Sequence, residues 1–417
     1  MAESSGRGRS SSTTRAVLRV PSVRSYLGSR FFSSLARSLL HATIAWHLWK
    51  LTGSYFWLGV IGAVEFLPVI PVSLYAGAFA DAHDRRAIVL TTQAISLLGA
   101  LALAFTSGSG LAFERESVLA AAFVLATASS FENPAGASIL PGLVPRELFA
   151  SATVVSANVR NVASVSGPVL MGATTGSFGI PAAYGLTGLC LATSLLLLST
   201  VRIPAAERDR AQAVSLAAIR EGVGFVRRQP AILGSMTLDM FAVIFAGATA
   251  MLPVYADEIL GVGEVGYGLL SASMQIGTMA MAGLLLLLPP IARPGRALLF
   301  SVAIFGAATI VFGLSRSFAL SVAAFVLAGM ADQVSMVARS IILQLSTPDR
   351  LRGRVNSVNM IFIGASNQLG AAESGFLAAL TSATFSVVAG GIACLGALGI
   401  VNRRMPEIRR YRIGPPV

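Results

Sequence analysis

An all-helical polytopic membrane protein made of two related halves is the fold class this sequence predicts, and three observations predict it. The first is composition: 54% of the residues are hydrophobic, 12% are charged and the mean hydropathy is +0.74, where a soluble domain carries about 25% charged residues. The second is that apolar runs long enough to cross ~30 Å of hydrocarbon recur from end to end. The third is an internal repeat. At an offset of 203, Pro145 aligns with Pro348, Leu148 with Leu351 and Gly167 with Gly370, and the two cysteines, Cys190 and Cys394, recur at 204. That offset is close to half the chain, which points to two pseudo-symmetric bundles of six helices.

Taken in order, residues 1–22 are rich in Ser, Arg and Gly with no apolar core, which predicts a disordered cytoplasmic tail and not a cleaved leader. Twelve apolar spans follow, at about 25–48, 54–78, 86–106, 117–142, 149–176, 181–201, 231–255, 266–290, 297–314, 318–345, 354–380 and 383–401. They divide into a first bundle, 23–203, and a second, 231–403, with a cytoplasmic tail at 404–417. Between the bundles lies the one long connector, 204–230, in which Val214, Ala218, Val223 and Val226 repeat at near-helical spacing among arginines. It reads as an amphipathic helix at the membrane surface. Pro145 and Pro348 mark equivalent cytoplasmic turns, because proline cannot continue an incoming helix.

Charge fixes the orientation. With both termini inside, 25 of the 31 basic residues fall on the cytoplasmic side, Lys50, Arg115 and Arg316 fall outside, and Arg37, Arg160 and Arg339 lie within spans. A bias of that size predicts cytoplasmic N- and C-termini, in the plasma (inner) membrane. The net charge of +12 therefore marks topology; a nucleic-acid-binding face would need its arginines clustered with polar or aromatic readers.

Charges inside the spans are the functional signal. They are Arg37 in span 1, Glu65 in span 2, Glu132 in span 4, Arg160 in span 5, Asp239 in span 7, Asp332 and Arg339 in span 10, and Glu373 in span 11. A charge at the bilayer centre costs roughly 2.5–3.5 kcal/mol even on the lenient insertion scale, so these groups must face protein or water. Spans 3, 6, 9 and 12 carry none, which predicts that every third helix stands outside a polar region shared by the others. A structural pairing within one bundle, such as Glu132 with Arg160, is the plain alternative to a role in transport. The Gly167-Pro168 pair reads likewise as a bend or as small-residue packing.

Several chemistries are excluded. Lys50, preceded by Trp49, is the single lysine, so no phosphate loop ending in Gly-Lys-Ser/Thr exists and ATP is not an intrinsic fuel. Gly261, Gly263 and Gly266 match a dinucleotide spacing but sit in a loop with no strand ahead of them. His41, His47 and His83 make no metal cluster, and the two cysteines lie in separate apolar segments. No catalytic residue, metal or cofactor is expected.

The motifs resemble those of the major facilitator superfamily over nearly the whole chain. The loop after span 2, Gly77-Ala-Phe-Ala-Asp81-Ala-His-Asp84-Arg85-Arg86, is similar to that superfamily's loop signature, with Ala82 and Asp84 where Arg and Gly are usual. Gly167-Pro168-x-x-Met171-Gly172 resembles the antiporter bend signature of helix 5, with Ala163 and Met171 where glycines are usual. Phe131-x-x-Pro134-Ala135, Glu221-Gly222-x-x-Phe225-Val226-x-x-x-Pro230 and Gln344-x-x-x-Pro348-x-x-x-Arg352-Gly353-Arg354-Val355 resemble the branch of enterobactin-type siderophore and macrolide exporters.

The resemblance implies the major facilitator fold and a secondary active exporter of a drug-like or siderophore-like molecule, coupled to protons and acting by alternating access. Proton coupling would rest on Glu65, Glu132, Asp239 or Asp332, although the superfamily's usual arginine signature in helix 4 is absent. Arg37, Arg160 and Arg339 would hold an anionic substrate group or alternate as partners of those acids. It also implies a cytoplasmic gate in which Asp81 meets the start of span 11 at Arg352 and Arg354. The expected partners are the small molecule, protons and the lipid bilayer, without nucleic acid or ATP, and the chain is expected to be a monomer. Uptake or facilitated diffusion of a small solute is the second reading; a membrane-embedded enzyme or a non-transporting sensor is more remote.

Overall fold

The structure, a computed structural model, describes residues 17–110, 113–201, 216–245 and 248–412, without the side chains of residues 70, 73, 74, 77, 78, 80, 81 and 216–219. Residues 1–16 of the expected N-terminal tail, most of the linker's first half and the last five residues of the C-terminal tail thus lie outside the described residues, whereas residues 17–22 of that tail are largely helical, with Val17 buried against Val23 and Tyr26 in the core of the first bundle. Among those described there is no strand. The long helices are α1 (Pro21–Thr52), α2 (Tyr55–Ala82), α3 (Arg85–Thr106), α4 (Glu114–Ala137), α5 (Arg146–Phe178) and α6 (Ile180–Ser199). After a linker helix (Leu216–Arg228) come α7 (Pro230–Phe245), α8 (Gly263–Leu285), α9 (Pro294–Leu314), α10 (Phe318–Ser346), α11 (Arg352–Leu380) and α12 (Ala383–Arg404).

Seven helical segments among the described residues are long and apolar enough to cross a membrane: α3, α6, the segment Pro230–Ile259 that begins with α7, α8, α9, α10 and α12. The charge-bearing helices α1, α4, α5 and α11 are as long, at 32, 24, 33 and 29 residues, but less apolar, and α2 contributes the apolar stretch Tyr55–Val69. The helices with charges only in a terminal turn or none at all carry many of the large apolar side chains left uncovered: Leu98 and Phe105 on α3, Leu189 and Leu196 on α6, Phe300 on α9, and Ile392 and Ile400 on α12. Those faces suit lipid.

Local chemistry sets the ends. Asp84 caps α3 by accepting from the Arg86 amide at 2.9 Å, and Ser382 caps α12 by accepting from the Phe385 amide at 3.1 Å. Gly179, at φ 82°, makes the reversal between α5 and α6 in a conformation that a side chain would strain. Two spans are shorter than the hydropathy predicts. Helix α4 stops at Ala137 because Pro141 turns the chain into the tight helical turn Leu140–Gly142, and α8 stops at Leu285, ahead of Pro289 and Pro290.

The chain packs as two compact units whose border runs inside helices. One comprises Met1–Ile44 and Pro71–Ala213; the other comprises Ala45–Ile70 and Val214–Val417. Helix α1 changes unit between Ile44 and Ala45, and α2 changes at Pro71, which supplies no amide to its ladder. In unit 1, Cys190 packs with Leu35, Ala36, Ala100, Ala163 and Leu191. In unit 2, Cys394 belongs to a larger core with Ile232, Val302, Phe305, Ile342 and Val355. The linker helix belongs to this core as well, through buried Val226 with Val223 and Phe225 against it. A Cβ at its Gly222 would lie 3.0 Å from the Arg354 carbonyl oxygen, and Glu221 pairs with the Arg354 guanidinium. The linker's apolar stripe is covered by protein at Val226.

Candidate functional site

The polar centre of unit 1 is assembled by five helices around one carboxylate. Glu132, 5% exposed on α4, accepts from Arg37 of α1 at 3.1 Å and from the Gln93 amide of α3 at 3.2 Å, and Arg30 of α1 lies 4.0 Å away. Arg37 donates its second nitrogen to Asn133 at 2.9 Å. The network runs on through Gln93, whose carbonyl oxygen accepts from Ser194 of α6 at 2.9 Å, and from there to Ser29 of α1 at 2.9 Å. Glu132, Arg30, Gln93, Ser29 and Ser194 are buried, so these groups must satisfy one another. Room for Arg30 comes from Gly136, where a Cβ would stand 2.9 Å from the guanidinium; the Gly136 carbonyl accepts from Tyr26 at 2.9 Å.

Arg160 completes this centre from α5. It is exposed and lies within electrostatic range of Arg30, Arg37 and Tyr26, with no carboxylate at ion-pair distance among the described residues. The Glu132–Arg160 pair expected as the structural alternative is therefore replaced by Glu132–Arg37. Arg37 reaches α4 from α1, whereas Arg160 remains over the α1/α5 seam. That seam is tight: a Cβ at Gly167 would fall 2.6 Å from the Ser38 Cβ, and the Ser38 hydroxyl donates to the Ser164 carbonyl at 2.9 Å. Gly167, Pro168 and Gly172 are all buried, so close helix approach is what this motif supplies here.

Unit 2 contains a cavity of about 180 Å³ lined by Asp239 and Val243 of α7, Met274 of α8, Asp332 and Arg339 of α10, and Asn367 of α11. Asp239 and Arg339, both buried, form an ion pair across it. Asp332 faces the same space and makes neither an ion pair nor a hydrogen bond among the described residues. Three of the predicted embedded charges thus converge on one cavity. Glu65 is half-buried on α2 in unit 2 and does not line it.

The same unit gathers a second cluster where α1 ends and α2 begins. Trp49 donates its indole N–H to Asp257 at 3.0 Å, the Lys50 ammonium lies 3.3 Å from the same carboxylate, and Tyr55 donates to Glu258 at 3.0 Å. Trp46 stacks on Tyr267, and Trp49 on Tyr55. One turn further, α2 crosses α11 through small residues. A Cβ on Gly375 would stand 2.2 Å from the Gly59 amide nitrogen, and one on Gly62 would stand 2.6 Å from that of Ala372. Backbones meet here without side chains between them.

The expected gate residues divide. Arg85 donates to the Ser138 carbonyl at 3.2 Å and Arg86 to the Leu198 carbonyl at 3.2 Å, so both close helix ends within unit 1. Gly77 and Asp81 lie in the last turns of α2, and their surroundings fall outside the described residues. Arg352 pairs with Asp349 at 2.9 Å, and Arg354 is held by Glu221.

Comparison with known proteins decides the family. A model described as "transmembrane secretion effector" of the major facilitator superfamily matches residues 12–413. This chain belongs to that family. Among its relatives, the enterobactin exporter EntS of Shigella boydii serotype 4 (strain Sb227) is 25% identical over 402 residues, 95% of this chain and 94% of that protein. EntS of Escherichia coli O157:H7 (strain EC4115 / EHEC) matches over the same length and identity. The fold is also that of a bacterial homolog of the human lysosomal transporter Spinster in an inward-facing, occupied conformation, with a TM-score of 0.71 at 16% identity, covering 94% of this chain and 98% of that one. A peptide transporter of the POT family in complex with sulfate superposes with a TM-score of 0.72 at 13% identity, covering 94% and 96%.

As a transmembrane secretion effector, the chain is an integral membrane transporter of the major facilitator type, and its relatives and structural neighbours are transporters, not enzymes. Its site contains groups that sequence reasoning passed over. Arg30 counts with the cytoplasmic arginines by position, yet its side chain is buried beside Glu132. Gln93, Ser29 and Ser194 carry no charge and so no hydropathy signal. A readable sign of Arg30 was Gly136, a vacancy on α4 next to the motif acid.

Proposed function

We propose that this transporter is a proton-coupled exporter of a drug-like or siderophore-like small molecule, with twelve membrane spans rocking as two bundles around a midplane site. The observation that carries the reading is Asp332, an acid in the unit 2 cavity with no ion-pair or hydrogen-bond partner among the described residues, beside a neighbour, Asp239, that is tied to Arg339. An acid not locked to a cation can take up and release a proton at little structural cost, whereas Glu132 is held by two arginines and a glutamine. Kinship with enterobactin exporters supports the outward direction. The positive-inside bias supports the inner membrane with both termini in the cytoplasm.

The test is efflux in a pump-deficient host across a panel of macrolides, siderophores and dyes. Efflux should collapse when an uncoupler removes the proton gradient at constant ATP. Efflux that persists with the uncoupler and stops on ATP depletion refutes proton coupling, and accumulation above the vector control refutes export.

A further inference from the structure

Unit 1 holds more positive charge at mid-helix depth than its own acids balance. Arg37 stands at the middle of α1, Pro21–Thr52, and Arg160 near the middle of α5, Arg146–Phe178. The two helices touch there, through Ser38 and Ser164 and through Gly167. Arg30 reaches the same region from α1 into the space at Gly136. Against these three cations stands Glu132, at 3.1 Å from Arg37 and 4.0 Å from Arg30. Arg160 has no carboxylate at ion-pair distance among the described residues, and the buried Nη1 of Arg30 has no hydrogen-bond acceptor.

Guanidinium groups keep their protons under all biological conditions, so the surplus cannot be titrated away. A counter-charge must be supplied, and the depth says by what. On the predicted spans 25–48 and 149–176, Arg37 and Arg160 fall near the middle of a ~30 Å hydrocarbon core, about 15 Å from either edge and beyond the phosphates of ordinary lipids. Arg160 is exposed, so its donors are open to a molecule entering between the helices. We infer that Arg37, Arg160 and Arg30 form a subsite for an anionic group of the transported molecule, a carboxylate or comparable oxyanion on an otherwise apolar body. Arg160 is the primary donor, Arg37 is shared with Glu132, and Glu132 is the built-in competitor that keeps the empty site neutral enough to persist. Arg339 takes no part, because Asp239 occupies it. The inference rests on the transporter reading but not on its energy source or direction.

The test is direct binding to the purified full-length chain in detergent, by calorimetry, with 1-naphthoate and its neutral isostere 1-naphthamide as probes. Naphthoate should bind at least tenfold more tightly than naphthamide. Arg160→Gln should weaken naphthoate at least tenfold and leave naphthamide within twofold, and Arg160→Lys should recover part of the loss. Glu132→Gln should tighten naphthoate, a gain that misfolding cannot produce. Equal affinity for the two probes, absence of naphthoate binding, or a loss shared by both probes overturns the inference. Displacement of naphthoate by phosphatidylglycerol but not by phosphatidylcholine reassigns the arginines to a lipid headgroup and overturns it too. Charge discrimination without proton-driven efflux would leave this subsite standing and remove the antiport reading; the converse would remove only the subsite.

Discussion

The two units build the same ion pair with its polarity exchanged. In unit 1 the cation, Arg37, is on α1 and the anion, Glu132, on α4; in unit 2 the anion, Asp239, is on α7 and the cation, Arg339, on α10. Shifted by the repeat offset of 203, Arg37 falls on Met240, beside Asp239, and Gly136 falls on Arg339 itself. The scaffold is thus duplicated while its charges are swapped. What each unit has left over differs in sign: Arg160 in unit 1, Asp332 in unit 2. A paired charge holds two helices together and a leftover one is free to meet a ligand or a proton. Under the function and the subsite proposed above, labour would be divided, with anion recognition in one unit and proton handling in the other.

The largest effect should come from removing the leftover acid. Asp332→Asn should lower gradient-driven efflux at least about a hundredfold, while exchange of labelled for unlabelled substrate across vesicles continues, because a permanently neutral site still rocks but cannot couple. Glu132→Gln should keep gradient dependence. If the two variants behave alike, the division of labour fails.

Breaking the pairs should come next, and unequally. Arg339 and Asp239 are 8% and 9% exposed at their side chains, so Asp239→Ala strands a buried cation at a cost on the order of 3 kcal/mol. A melting temperature lower by several degrees should follow. Glu132→Ala should cost less, since Arg37 is 37% exposed and keeps Asn133. Exchanging both partners in unit 2, Asp239→Arg with Arg339→Asp, copies the polarity of unit 1 and should recover more than half of the single-variant loss. Additive losses would show that the two positions are not a transferable pair.

How much of this was legible follows from what the bilayer penalises. Most embedded charges announced themselves, because a lone Asp or Arg in an apolar run has no inexpensive alternative, and Asp239, Asp332 and Arg339 were found to meet in one cavity; Arg30 did not, since its place near the start of a span let it count with the cytoplasmic arginines. Which charge pairs with which was not legible: Glu132 takes Arg37 because helix azimuth and rotamer decide reach, and neither is written in spacing. Neutral polar members such as Gln93 and Ser194 carry too small a transfer cost to stand out. The unit border inside α1 also leaves no compositional mark, since the chain crossing it at Ile44 and Ala45 remains continuous apolar helix, whereas in α2 Pro71 stands at the border.

Smaller effects sharpen the same comparison at the crossing of α2 and α11. Gly375→Ala sets a methyl group 2.2 Å from the Gly59 backbone, an overpacking of about 1–3 kcal/mol. Turnover should slow several-fold, whereas Gly399→Ala, with nothing within 4 Å, should be neutral. Least of all, Lys50→Gln removes a half-exposed ion pair with Asp257 worth at most about 1 kcal/mol. A change in rate of no more than a few-fold should vanish at high salt; a larger, salt-independent loss would give Lys50 a part in transport itself.

Cys190 and Cys394 are the chain's two cysteines, both buried and unpaired, one in the core of each unit. A thiol packed among apolar side chains reacts only when its surroundings open. Each unit therefore carries its own clock for local unfolding, and the rate at which a maleimide consumes each thiol reports the stability of one bundle independently of the other. A cysteine introduced at an exposed position would be labelled first, so spectroscopic probes can be placed without stripping the native pair.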